Sequence, residues 1–246
     1  MFFDMTERFF LITAFVWLLF IPDSFAQIST VHIKGYGSTD FSASFMKFSD
    51  WDSNEKAILG TPYINKDWMY GELVLDTDLS IETMFRYNLE SQNIELIYDL
   101  DTLIFLQPLR MKEFHFMGKK FIYDIALGSD RRGDYMEAAY LEVLVDGNCQ
   151  LLRKYEKFIS TGSNGLKYAA AEASTETYQM RTNLYIRYSP LNAPVRLNKI
   201  NKRIIDSFPG NNSDLVAYIR DNSLKLNSED NLMRLIEYYN SLVVNN

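Results

Sequence analysis

Nitrogen and sulfur ligands are scarce in this 246-residue chain, which holds 2 His and 1 Cys. His32, His115 and Cys149 lie far apart in sequence. Zinc, haem and iron–sulfur centres draw on several such ligands, so no cofactor of that kind is expected. A carboxylate-rich calcium site stays open. A lone Cys closes no intramolecular disulfide. Basic charge is in deficit as well, with 25 Lys+Arg against 32 Asp+Glu and a net charge of −7. That argues against non-specific duplex nucleic-acid binding, which is driven by cations against phosphate. Hydrolase and nucleotide signatures are missing. Gly162-Ser163-Asn164-Gly165 is one residue short of G-x-S-x-G, and there is no H-E-x-x-H and no P-loop. Gly35-Tyr36-Gly37 is a fragment of a phosphate fingerprint without the rest. The expectation is a protein that is not an enzyme.

Long apolar runs are also few. Phe9 to Ile21 is 13 residues, all apolar except Thr13, and ends at Pro22-Asp23. A spanning helix needs about 20. Ser24-Phe25-Ala26 places small residues at the −3 and −1 positions of a cleavage site, so residues 1–26 read as a signal peptide and Gln27 as the start of the mature chain. Asp4 and Glu7 outweigh Arg8 in the first segment, and a start at Met5 would remove Asp4. The expected location is exported, periplasmic or extracellular, with no transmembrane span after cleavage. The mature 220 residues carry a net −5 and suffice for one large or two small cores.

What is present is apolar and aromatic: 47% of residues are hydrophobic and 15% aromatic, the composition of a globular folder. Residues 27–67 read as an irregular lead-in, with Phe41, Phe45 and Phe48 at near-helical spacing suggesting one short helix. From 68 to 197, short segments rich in β-branched and aromatic residues follow one another between turn residues. Asp146-Gly147 is the clearest hairpin signal, suited to a type I′ turn. Strands this close leave no room for crossover helices, so pairing should be antiparallel. In Thr175–Tyr188, Tyr178, Met180, Thr182, Leu184, Ile186 and Tyr188 share one face, the pattern of a sheet with one wet side. Residues 198–246 change character. Ile200, Ile204 and Ile205 mark one short helix; Leu215, Tyr218 and Ile219 a second; Leu232, Leu235, Ile236 and Tyr239 a third, capped near Asn227–Asp230. The predicted class is α+β, mostly β: an antiparallel meander sheet, open or barrel-like, followed by a small C-terminal helical unit.

Two surfaces are candidates for binding. Arg181, Arg187, Arg196, Lys199, Lys202 and Arg203 form a stretch with no acidic residue, while the rest of the mature chain carries −11. Such a strip could dock an anionic envelope component or an acidic protein, or could be a solvated face neutralised by carboxylates from elsewhere. Trp51, Tyr63, Trp68 and Tyr70 cluster ahead of the first clear strand; exposed, they would stack a sugar or an apolar ligand, and buried, they would plug one end of a sheet. Asp76/Asp78 and Asp99/Asp101 are paired carboxylates that could serve a hydrolase or calcium, but Asp is a favoured turn residue in any case. Arg132-Gly133-Asp134 matches the adhesion tripeptide, and Asn211-Asn212-Ser213 a glycosylation sequon; Gly133 and Asp134 also fit an ordinary turn.

Gly60-Thr61-Pro62-Tyr63-Ile64-Asn65, Arg86-Tyr87-Asn88 followed by Glu95, Leu151-Leu152-Arg153-Lys154-Tyr155, and Asp230-Asn231-Leu232 through Tyr238-Tyr239-Asn240 resemble exported proteins of Bacteroidota in which a G-[ST]-P-Y-x-N segment precedes an R-Y-N strand. The resemblance spans nearly the whole mature chain. It implies a bacterial envelope setting and carries no activity or site residues. Arg86-Tyr87-Asn88 and Glu95 read as a structural hairpin pair. The leading expectation is a non-enzymatic envelope protein that binds or scaffolds through the basic strip. The alternative is a periplasmic carrier of an apolar ligand or lipid within a curved sheet lined by Phe, Tyr and Leu.

Overall fold

The computed structural model describes residues 28–34, 40–47, 58–98, 101–105, 108–127, 137–162, 175–210 and 212–244. Twelve strands form one antiparallel sheet: β1 (Ile28–Lys34), β2 (Asp40–Lys47), β3 (Met69–Leu75), β4 (Ser80–Asn88), β5 (Asn93–Tyr98), β6 (Asp101–Phe105), β7 (Met111–Phe116), β8 (Lys119–Leu127), β9 (Glu137–Val145), β10 (Gln150–Gly162), β11 (Thr175–Arg187) and β12 (Val195–Leu197). Their order is β1-β2-β6-β5-β4-β3-β7-β8-β9-β10-β11-β12. Every neighbour is a sequence neighbour except at β2–β6 and β3–β7, so two meanders and a leading hairpin are joined edge to edge. A short 3-10 helix (Lys202–Ser207), α1 (Ser213–Asp221) and α2 (Glu229–Val244) follow.

The lead-in departs from expectation. Ile28–Lys34 and Asp40–Lys47 are strands rather than an irregular segment with a helix, and β2 pairs with β6 through Phe45↔Phe105 to Lys47↔Leu103. Phe41, Ala43 and Phe45 also alternate at period two, and a sheet edge offering partners decides between the two periods. The hairpin turns differ as well. Positive φ at both Met117 (55°) and Gly118 (71°) gives the two-residue turn to β7–β8. Between β9 and β10 the connection is four residues long, with Gly147 at φ 135° and a bulge at Leu151/Leu152. Asn240 of α2 holds that turn from outside, so a longer loop replaces the type I′ geometry.

The sheet is curled. In a flat sheet β4 and β9 would stand four strand spacings apart, about 19 Å. Yet the rings of Tyr87 on β4 and Tyr140 on β9 have centroids 5.5 Å apart, and Gln92 in the β4–β5 turn donates to the Tyr155 carbonyl on β10 at 3.3 Å. The alternating inward residues fill the concave face. Phe114 and Phe121 stack at 4.6 Å, Phe85 lies 4.8 Å from Phe116, and Tyr140 meets Phe114 edge-on at 5.2 Å. Gly71 is required in this packing: a Cβ there would sit 2.5 Å from both the His115 carbonyl oxygen and the Phe85 ring. Among the described residues no ladder joins β1 to β12, so the curl is not a closed barrel.

A short segment replaces the missing closure. Leu59 forms a parallel bridge with Thr177 on β11, while Tyr63 forms an antiparallel bridge with Asn88 at the end of β4. Lys157 on β10 donates to the Thr61 carbonyl at 2.6 Å. This strap reaches the outer half of β10–β11, beyond the β9 ladder, which stops at Lys154. There β11 is exposed on both faces over residues 179–182, whereas Tyr185, Ile186 and Arg187 are all buried. The single wet face read from the alternation therefore splits lengthwise into a projecting ribbon and a strand covered on both sides.

The helices complete one end of the concave face. Leu232, Leu235 and Ile236 of α2, Leu215 of α1, and Ile204, Ile205 and Phe208 pack with Leu151 and Ile186 in a second cluster. The apolar stripes fixed these contacts: α2 places its buried residues at i, i+3 and i+4. No helix among the described residues is long and apolar enough to cross a membrane.

Candidate functional site

The basic strip divides when its partners are identified. Arg187, 8% exposed, forms an ion pair with Asp124 of β8. Arg181 pairs with Glu156 at 2.5 Å across the ribbon. Burial alone would raise the Glu156 pKa, but hydrogen bonds from Lys154 and Arg181 outweigh it and hold the carboxyl below its usual range. Arg196 donates to the Asn183 side-chain oxygen at 2.6 Å. Lys199, Lys202 and Arg203 stand exposed and make no ion pair among the described residues. Local sequence explains their display. Asn201 caps the 3-10 helix by accepting the Arg203 N–H at 2.9 Å, and Ile204 and Ile205 anchor it in the core. Lys202 and Arg203 are thereby turned to solvent.

Lys202 forms one wall of a groove of about 430 Å³ between the 3-10 helix and α1. Ile205, Ile219 and Leu224 supply its apolar floor, with Val216, 53% exposed, beside them. Arg220 and Ser223 complete the lining, which contains no carboxylate. Arg220 itself is exposed and pairs with its neighbour Asp221 at 2.8 Å. Sequence reading missed Val216, Arg220 and Ser223. Val216 and Arg220, at i and i+4, are a second stripe on α1 beside the buried one carried by Leu215, and Ser223 follows just past the end of the helix.

The four aromatics do not form one platform. Trp51 lies outside the described residues. Tyr63 and Trp68 enclose Arg86, each ring centroid 4.0 Å from the guanidinium carbon. Arg86 pairs with Glu95, its cross-strand partner, at 2.7 Å. The Tyr63 hydroxyl hydrogen-bonds both Glu95 oxygens at 3.0 and 3.1 Å. Burial, and then the Glu95 charge, push the Tyr63 hydroxyl up to about 12 against the opposing pull of Arg86. Glu95 is 2% exposed, so this is a knot that fastens the strap to β4 and β5, and it unites the two motifs noted in the sequence. Tyr70, 77% exposed, lies in a separate groove of about 320 Å³ with Glu72, Glu82, His115 and Met117.

The Asp76–Asp78 turn faces solvent. Asp76 pairs with Arg110 at 3.4 Å and Asp78 with Lys112 at 2.6 Å. Asp99, the Arg132-Gly133-Asp134 tripeptide and Asn211 lie outside the described residues, as does the Asp101 side chain. His115 bonds Glu113 at 3.0 Å, and among the described residues no three His, Cys, Asp or Glu side chains come together to hold a metal. Cys149 is buried, and burial pushes its thiol up to about 12. A second charged group ties sheet to helix: Glu142, 6% exposed, receives Lys119 at 3.1 Å and Arg153 at 3.0 Å, and Arg153 also pairs with Glu229 in the first turn of α2. Compared with known proteins, the chain matches no family model, no curated protein and no solved structure.

Proposed function

We propose that this chain is a non-enzymatic exported protein of the cell envelope that binds or scaffolds an anionic partner. The contact is made by Lys199, Lys202 and Arg203, with Arg196 at its edge. One observation carries the reading: these three cations are exposed and make no ion pair among the described residues, on a segment pinned to the core, in a chain that is acidic elsewhere. Arg181 and Arg187 belong to the fold rather than to the contact, because Glu156 and Asp124 neutralise them. Attraction between exposed charges is screened within about 8 Å at physiological salt, so the association is salt-sensitive and oriented by this face.

The test is association of the protein with its own envelope fraction. Wild type co-sediments at low salt and is released at about 0.5 M salt, where screening shortens further. The charge-reversed Lys199→Glu/Lys202→Glu/Arg203→Glu variant stays unbound. Association that survives both salt and the triple variant overturns the reading. The carrier alternative finds the concave face of the sheet already occupied by packed rings; the groove beside Lys202 is the site that favours it.

A further inference from the structure

We propose that the groove between the 3-10 helix and α1 takes one long-chain fatty acid, its chain along Ile205, Val216, Ile219 and Leu224 and its carboxylate between Lys202 and Arg220. The inference rests on the binding reading above for its use of Lys202, and names the ligand class. Three features select the occupant. The floor is aliphatic and lacks any aromatic ring or amide that would orient a sugar or a peptide. Both charged lining residues are cations and no acidic side chain enters, so a cationic amphiphile is repelled and an anionic one complemented. The volume of about 430 Å³ lies at the low end of single-ligand pockets, which suits one chain rather than the two of a phospholipid. Arg220 presents a planar fork that matches a carboxylate in two parallel hydrogen bonds; its present partner, Asp221, is its exposed sequence neighbour.

The experiment uses palmitate labelled with ¹³C at the carboxyl carbon and protein purified from its own envelope and delipidated. Saturable binding with one shifted carboxyl resonance is expected. Val216→Asp places a carboxylate in the groove at an exposed position and should weaken binding at least tenfold, as should Lys202→Glu/Arg220→Glu. Methyl palmitate, which lacks the charge, should bind at least tenfold more weakly. Circular dichroism melting shows whether each variant is folded, and Val216→Ser serves as the milder second variant, expected to weaken binding severalfold. Absence of saturable binding, or unchanged binding in folded Val216→Asp, overturns the proposal. Envelope association that depends on Lys199 and Arg203 in a protein that takes no palmitate would remove the fatty acid alone. Loss of the charge dependence in the envelope assay would remove the docking reading instead.

Discussion

Asn240 satisfies both backbone hydrogen-bonding groups of Cys149. Its side-chain oxygen accepts the Cys149 N–H at 2.8 Å and its amide nitrogen donates to the Cys149 carbonyl at 2.8 Å, with a further bond to the Asp146 carbonyl at 3.2 Å. One helical side chain thus acts as a strand partner for the β9–β10 turn. Asn240→Ala should destabilise the protein by about 2–3 kcal/mol, because it strands polar backbone groups beside a buried residue. Asn240→Asp should not rescue it, since a carboxylate cannot donate to either carbonyl. Urea midpoints of the two variants decide the point.

The Arg86–Glu95 pair makes a second expectation. Glu95→Ala leaves the guanidinium between two rings without its counter-charge and should cost about 3 kcal/mol. Arg86→Met/Glu95→Leu removes both charges, keeps the packing against Tyr63 and Trp68, and should recover a large part of the loss. A double-mutant cycle measured by denaturant unfolding checks this.

Gly71→Ala should destabilise by about 1–3 kcal/mol. The obstruction is partly the His115 backbone oxygen at 2.5 Å, which has no rotamer to yield. Trimming the other neighbour with Phe85→Leu should therefore not restore stability, as thermal unfolding of the single and double variants would show.

Cys149 should resist thiol reagents at pH 8 in the native protein and react fully in denaturant, because it is buried and its thiolate is disfavoured. A disulfide-linked dimer should not form under oxidising conditions. Reagent titration with and without urea reads both.

Acid stability should follow Glu113, Asp146 and Glu156, whose carboxyls are all held below their usual values. A lowered folded pKa contributes stability that is present above the unfolded value of about 4 and lost as pH falls through the folded one. Melting temperature should hold steady above about pH 5 and decline below about pH 4. Glu156→Gln should melt lower at neutral pH and show a shallower acid decline.

The strands from β3 to β12 were legible as β-branched and aromatic segments between turn residues, and the longer strands and both α-helices also by their own period. Phe114 and Phe116 flank an outward His115, and Leu232, Leu235 and Ile236 share a helix face. β1 and β2 were not, since Phe41, Phe45 and Phe48 satisfy a helical spacing while Phe41, Ala43 and Phe45 satisfy a strand. The curl was beyond reach because alternation says which residues point inward and not which strands then meet, as Tyr87 and Tyr140 do. The basic strip was visible as a run of cations. Its division was not, because Asp124 lies 63 residues from Arg187 and local sequence carries no record of that partner. The groove needed both Lys202 and Arg220, whose elements meet only through the shared core.

The strap from Leu59 to Ile64 makes this sheet behave as a hoop fastened by a clasp. The inter-strand ladders alone would let the β10–β11 ribbon swing away from the β4–β5 corner. The clasp prevents this with two backbone bonds to β11 at 2.9 Å and two to the end of β4 at 3.0 Å. A proteolytic nick between Leu59 and Ile64 would break no ladder between neighbouring strands and would leave the aromatic interior assembled, yet it would loosen the ribbon, leaving it held to the β4–β5 turn by side-chain bonds from Gln92 to the Tyr155 carbonyl and from the Tyr178 hydroxyl to Glu90. Deuterium would then enter the Tyr178 and Leu89 amides, whose acceptors lie on the strap, before it enters the ladder of β7 and β8. The protein thus has a defined first place to open, well short of global unfolding.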